Sequence, residues 1–129
     1  LYIYINVNCD HCQAYWKDLD SAVKEGQLQV RLVPFGATPE NREGGAALLS
    51  VSGPEAAWRA YVAGDKKALA KDKIKGDALA KIDRNGVLAQ NWKGATPPFS
   101  LYRRPHDGKV AAMAGRPENT MLLLAEFLK

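Results

Sequence analysis

Over residues 1–35 the spacing of apolar positions changes period twice. Leu1 to Asn6 alternates and is rich in Tyr, Ile and Val, the pattern of a short strand, and it ends at the polar Asn6-Val7-Asn8. From Cys12 onward Tyr15, Trp16, Leu19, Ala22 and Val23 recur at helical spacing, and Gly26 supplies the stop. Gln27 to Phe35 carries Leu28, Val30, Leu32 and Val33 with polar residues between the first few, a second strand closed by Pro34. Strand, helix and strand in so few residues predict a right-handed parallel unit.

From Gly36 to Gly94 β-branched runs nearly vanish, and Ala, Leu, Lys, Asp and Glu dominate. The pattern predicts helices at about Arg42 to Val51, Pro54 to Ala63, Lys66 to Lys73 and Asp77 to Trp92, with Pro54 suited to a first helical position. Asn85-Gly86 has no alternating flanks, so a break between two short helices is expected there in place of a hairpin. Phe99 to Arg103 then alternates, His106-Asp107-Gly108 is turn chemistry, and Lys109 to Ala114 resumes an apolar segment, which together predict an antiparallel pair. A last helix starts at Gly115-Arg116-Pro117-Glu118, with Met121, Leu122, Ala125 and Leu128 expected on its buried side. Trp16, Trp58 and Trp92 fall at helical positions and are read as packing residues.

The chain has 129 residues, nearly half of them apolar, with no repeat or linker, so one compact domain over 1–129 is expected. It opens on Leu1, already inside the strand pattern, which predicts that an upstream part is missing. The net charge of +4 is modest, and the basic run from Lys66 to Lys75 lacks interleaved aromatics and glycines; a solvated helix face is expected, with no nucleic-acid partner. His106 is read as solvated beside Asp107.

Only two cysteines occur, as Cys9-Asp10-His11-Cys12. A tetrahedral zinc site needs four ligands, and His11, His106 and carboxylates alone would have to complete it, so no metal or other cofactor is expected. At a strand-to-helix junction the first sulfur meets free backbone N–H groups and the positive end of the helix dipole, which favour a thiolate at Cys9. The dipole contributes only about 0.3–1 kcal/mol, so neighbours must add the rest. His11 can donate a hydrogen bond or positive charge toward the sulfur, and Asp10 works against a second negative charge beside it. Cys12, one turn deeper, suits a resolving thiol that releases Cys9 from a mixed disulfide. Thr96-Pro97-Pro98 stands just ahead of the third strand; a proline turn leaves the preceding residue's backbone groups free to pair with an extended substrate. A static disulfide in a non-catalytic chaperone or scaffold is the competing reading, weakened because so short a closed loop constrains the unfolded chain little.

The string Asn8-Cys9-Asp10-His11-Cys12-Gln13-Ala14-Tyr15-Trp16, the helical segments Ala46-Ala47-Leu48-Leu49-Ser50 and Pro54-Glu55-Ala56-Ala57-Trp58-Arg59-Ala60-Tyr61, and Ala95-Thr96-Pro97-Pro98 resemble the catalytic domain of periplasmic disulfide isomerases of the DsbC/DsbG type, with DsbG the nearer of the two. The resemblance implies an α/β thioredoxin fold with a mixed four-stranded sheet and a multi-helix insertion, about 36–94, between the second and third core strands. It implies a nucleophilic Cys9, a resolving Cys12, and Pro97 as a cis-proline with Thr96 before it. It further implies a periplasmic isomerase or reductase of disulfides or oxidised cysteines in exported proteins, kept reduced by a DsbD-type membrane reductase. An N-terminal dimerisation domain and linker would be absent from this chain, leaving a monomeric domain of a homodimeric whole. The chain departs from the family at Asp10 and His11, where Pro or Gly followed by Tyr is usual, and at Asn6-Val7, where Asp-Pro often stands. A DsbA-like oxidase that donates its own disulfide is therefore the alternative activity, since His between the cysteines can favour the reduced form.

Overall fold

A computed structural model describes residues 1–91 and 96–127 of the chain. The element order is β1 (Tyr2–Ile5), α1 (Asp10–Lys24), β2 (Arg31–Pro34), α2 (Pro39–Ser50), α3 (Pro54–Val62), α4 (Ala78–Gln90), β3 (Phe99–Arg103), β4 (Val110–Ala114) and α5 (Thr120–Phe127), with two 3-10 turns, Lys66–Leu69 and Lys71–Lys73, between α3 and α4. The residues pack as two compact units, one of 1–5, 9–33 and 96–127, the other of 6–8 and 34–91. Among the described residues no helix is long and apolar enough to cross a membrane.

The first unit is built on a four-stranded sheet of order β2-β1-β3-β4. Leu1 donates to the Gln29 carbonyl and accepts from the Arg31 amide, so one residue pairs with two that flank its partner, the pattern of a parallel ladder. β1 runs antiparallel to β3, with Ile3 opposite Ser100 and Tyr4 opposite Phe99, and β3 runs antiparallel to β4, with Ser100 opposite Met113. The sheet is thus mixed. Ile3, Tyr4 and Ile5 are all buried, as expected of a central strand covered on both faces. Tyr4 and Phe99 meet edge to face, 6.3 Å between centroids.

Helix α1 buries Cys12, Tyr15, Trp16, Leu19 and Ala22, the stripe that the spacing predicts. It ends in a Schellman arrangement: Gly26, at φ +74°, donates to Val23 and Gln27 donates to Ala22. α5 differs from expectation. Leu123 and Leu124 face inward, whereas Met121 and Leu122 are about 70% exposed (71% and 69%) and Ala125 is also exposed; Leu128 lies outside the described residues. Five consecutive apolar residues, Met121 to Ala125, leave the spacing unable to choose a face. The helix start decides it: Asn119 accepts from the Met121 amide, Thr120 and Arg116 both bond Asp18 on α1, and the helix begins at Thr120, later than expected.

The second unit is helical. Thr38 caps α2 by accepting from the Asn41 amide and Pro39 takes the first helical position, which starts α2 ahead of the expected Arg42. Lys66 to Lys73 forms two 3-10 turns in place of one α-helix, with Ala70 extended between them. Lys67 and Lys71 would stack like charges one helical turn apart, and among these residues Leu69 alone is buried to anchor a helix. α4 runs unbroken through Asn85-Gly86, correcting the predicted break: the Asn85 amide donates to the Pro34 carbonyl at 3.0 Å and is thereby held in helical geometry. Ile82 packs with Ala46 and Ala78, and Arg42 forms a two-pronged ion pair with Asp83 at 2.9 Å. Val7 is fully buried against Gly44 of α2. Trp58 is buried and stacks on Tyr61; Trp16 in the first unit is buried as well, and Trp92 lies outside the described residues.

Candidate functional site

Cys9 is the N-cap of α1. Its backbone is extended, its carbonyl accepts from Gln13, and its Sγ accepts from the Cys12 amide at 3.2 Å. The sulfur therefore does what a Ser or Asp side chain does at other helix starts, satisfying one of the free N–H groups of the first turn. Asn8, just before it, is held through its amide by the Asn41 side chain and through its side-chain carbonyl by the Tyr61 hydroxyl. Cys9 is half-buried and Cys12 is 1% exposed, and the two sulfurs are not joined in a disulfide.

The Cys9 thiol points at the carbonyl of Pro97, Sγ to O 3.8 Å, across 88 residues of chain. This contact uses the proton on Sγ, whereas the one from the Cys12 amide is available to thiol and thiolate alike. The cis peptide bond is Pro97-Pro98, so the cis residue is Pro98, which corrects the expectation of a cis Pro97. Pro97 is the residue before the cis bond, and its carbonyl is the group that meets the sulfur. Thr96 is exposed one residue further out, and Ala95 lies outside the described residues. Pro98 is buried, and its carbonyl accepts from Gly115, at the end of β4, at 2.8 Å.

Asp10 and His11 are exposed in the first turn of α1. Among the described residues neither side chain makes a hydrogen bond or ion pair, so the structure brings Cys9, Cys12 and Pro97 together and does not join Asp10 or His11 to them. His106 is exposed beside Asp107, as expected. No group of three His, Cys, Asp or Glu able to hold a metal is gathered among the described residues.

Sequence reasoning missed Ser100. The alternation of Phe99 to Arg103 suggests a solvent-facing serine, yet Ser100 is fully buried and shares a 2.9 Å hydrogen bond with the hydroxyl of Tyr15, itself fully buried on α1. Burial pushes the Tyr15 phenol above its ordinary pKa, with the Ser100 bond acting in the opposite direction, so the pair is a neutral one. Only the strand's position between β1 and β4, covered on both faces, reveals this, and no signal in the sequence does.

No protein-family model matches the chain. It is 26% identical to the thiol:disulfide interchange protein DsbG of Pseudomonas aeruginosa over 131 aligned residues, which cover 99% of this chain and 50% of that protein. The chain thus spans about half the length of the curated relative it matches. Its structure superposes on the crystal structure of Pseudomonas aeruginosa DsbA2 with a TM-score of 0.65 and 16% identity, over 95% of this chain and 83% of that one. The mixed four-stranded sheet with its helices is therefore a thioredoxin-like fold, carried by a chain similar along nearly its whole length to a DsbG.

Proposed function

We propose that this chain is the exchange domain of a thiol:disulfide oxidoreductase, in which Cys9 attacks, Cys12 resolves, and Thr96 and Pro97 receive the substrate backbone. The observation that carries this reading is the position of Cys9 Sγ, half-buried at a helix N-terminus, capped by the Cys12 amide and facing the Pro97 carbonyl. A static structural bridge requires none of this. The Cys9 thiolate attacks one sulfur of a substrate disulfide, forms a mixed disulfide and expels the other sulfur as a thiolate that takes up a proton. A substrate thiol can then attack the mixed disulfide, which rearranges the substrate and returns Cys9 reduced. Alternatively Cys12 attacks Cys9, frees the reduced substrate and leaves the Cys9–Cys12 disulfide. Once Sγ has lost its proton, the Pro97 carbonyl is free to accept from an incoming backbone N–H.

Similarity to a thiol:disulfide interchange protein DsbG supports the exchange reading. Beyond it, our reading is isomerase or reductase work on exported proteins in the periplasm, with a DsbD-type reductase restoring the dithiol and the helices between β2 and β3 as an insertion in one catalytic domain of a dimeric whole. Asp10 and His11 tune Cys9 by charge. The test is covalent trapping on a scrambled disulfide protein: Cys12→Ser accumulates mixed disulfides on a non-reducing gel and Cys9→Ser does not. Equal trapping by both variants, or none by either, defeats the proposal. Equilibration with glutathione separates activities, since a strongly oxidising dithiol indicates a DsbA-like oxidase and a mildly reducing one an isomerase.

A further inference from the structure

The Tyr15–Ser100 hydrogen bond joins the same two segments as the Cys9–Pro97 contact. Tyr15 stands one turn beyond Cys12 on α1, and Ser100 stands two residues beyond Pro98 on β3. The two links span 85 and 88 residues of chain. Both hydroxyls are completely buried, and among the described residues Ser100 is the polar residue the core encloses. Burying two hydroxyls yields no more than their mutual bond returns, and Phe with Ala would fill the same space with nothing left to satisfy. Packing alone gives no reason for them. Resting on the exchange reading above, we infer that Tyr15 and Ser100 are positioning residues, whose bond sets the register of α1 against β3 and so holds Cys9 Sγ in line with the Pro97 carbonyl. A directional hydrogen bond fixes register in a way that a slippery apolar contact does not, because sliding the helix along the strand breaks it outright.

The consequence is specific to the substrate. A polypeptide disulfide uses both the sulfur and the Pro97 carbonyl, whereas a small aryl disulfide such as 5,5'-dithiobis(2-nitrobenzoate) uses the sulfur alone. In each case Cys9 displaces one thiolate and Cys12 the second, so that two electrons pass from the dithiol to the reagent. The experiment takes the full reduced chain, Tyr15→Phe, Ser100→Ala and the double variant, with Leu124→Ala on α5 as a destabilised control. It measures the thermal midpoint and the rates with a short peptide disulfide and with the aryl disulfide.

Each single variant leaves one buried hydroxyl unpaired and lowers the midpoint, and the double variant regains most of that loss. The rate with the peptide disulfide stays about threefold or more below wild type even in the double variant, the size of one net hydrogen bond, while the aryl disulfide reacts at the wild-type rate. Return of the peptide rate to wild type in the double variant overturns the inference, and so does equal slowing with both reagents or equal slowing in Leu124→Ala. Failure of the wild-type chain to react with either reagent is a different result, which removes the exchange reading and this one with it.

Discussion

One substitution, glycine to alanine, should change stability in opposite directions at two helical sites. In the interior of α4, a Cβ at Gly86 would meet nothing within 4 Å, and its backbone is not in the left-handed region. Alanine there gains the helix propensity difference of about 0.8–1 kcal/mol with no steric cost. In α2, a Cβ at Gly44 would lie 2.7 Å from Cγ2 of Val7, where ordinary contact begins at 3.4 Å, a shortfall of 0.7 Å (3.4 − 2.7). Val7 is fully buried and β-branched, so it can neither move to solvent nor turn freely. Overpacking of this kind costs about 1–3 kcal/mol, which against the same propensity gain leaves Gly44→Ala about 0–2 kcal/mol destabilised. At Gly45 the nearest atom is the flexible Cδ1 of Ile82 at 3.0 Å, followed by Cβ of Pro34 at 3.3 Å, so Gly45→Ala should fall between the two. Guanidinium unfolding followed by far-ultraviolet circular dichroism gives the three midpoints. Gly44→Ala stabilising the chain as much as Gly86→Ala would show that the close approach of Val7 to α2 is not what the glycine serves, and the steric argument would fall.

Two further outcomes concern charge. The hydrogen bonds from Arg116, and secondarily from Thr120, hold the Asp18 carboxyl below its ordinary pKa despite some opposing desolvation. The stability this confers is complete above the unfolded carboxyl's value of about 4 and is lost as pH falls through the lower folded one. Asp18→Asn should therefore lower the unfolding midpoint at neutral pH, and its gap from wild type should close below about pH 4; a gap independent of pH refutes this. At the candidate site, Asp10→Asn removes a negative charge next to Cys9 and should speed alkylation by iodoacetamide near neutral pH by about twofold, an exposed-charge effect that shrinks with added salt. An unchanged rate would mean that Asp10 serves only the helix start.

What the sequence determined is the part governed by local physics. The alternation of residues 1–6, the helical spacing from Cys12 to Val23 and Gly26 as a stop suffice to put Cys9 at the mouth of α1, because caps and periodicity act within a few residues. Pro54 opening α3 and the turn at Asp107-Gly108 between β3 and β4 were legible for the same reason. The tertiary structure decided whatever depended on a partner distant in the chain. Asn85-Gly86 stays helical because the Pro34 carbonyl takes the Asn85 amide, and α5 turns Leu123 and Leu124 inward because Asp18 anchors its start. Ser100 is buried because β3 lies between β1 and β4, and it is Pro97, not the cis residue Pro98, whose carbonyl meets the sulfur. Short-range order follows from propensity and spacing. Which face is buried, and which atoms meet across 85 or more residues, follows only once the elements have packed.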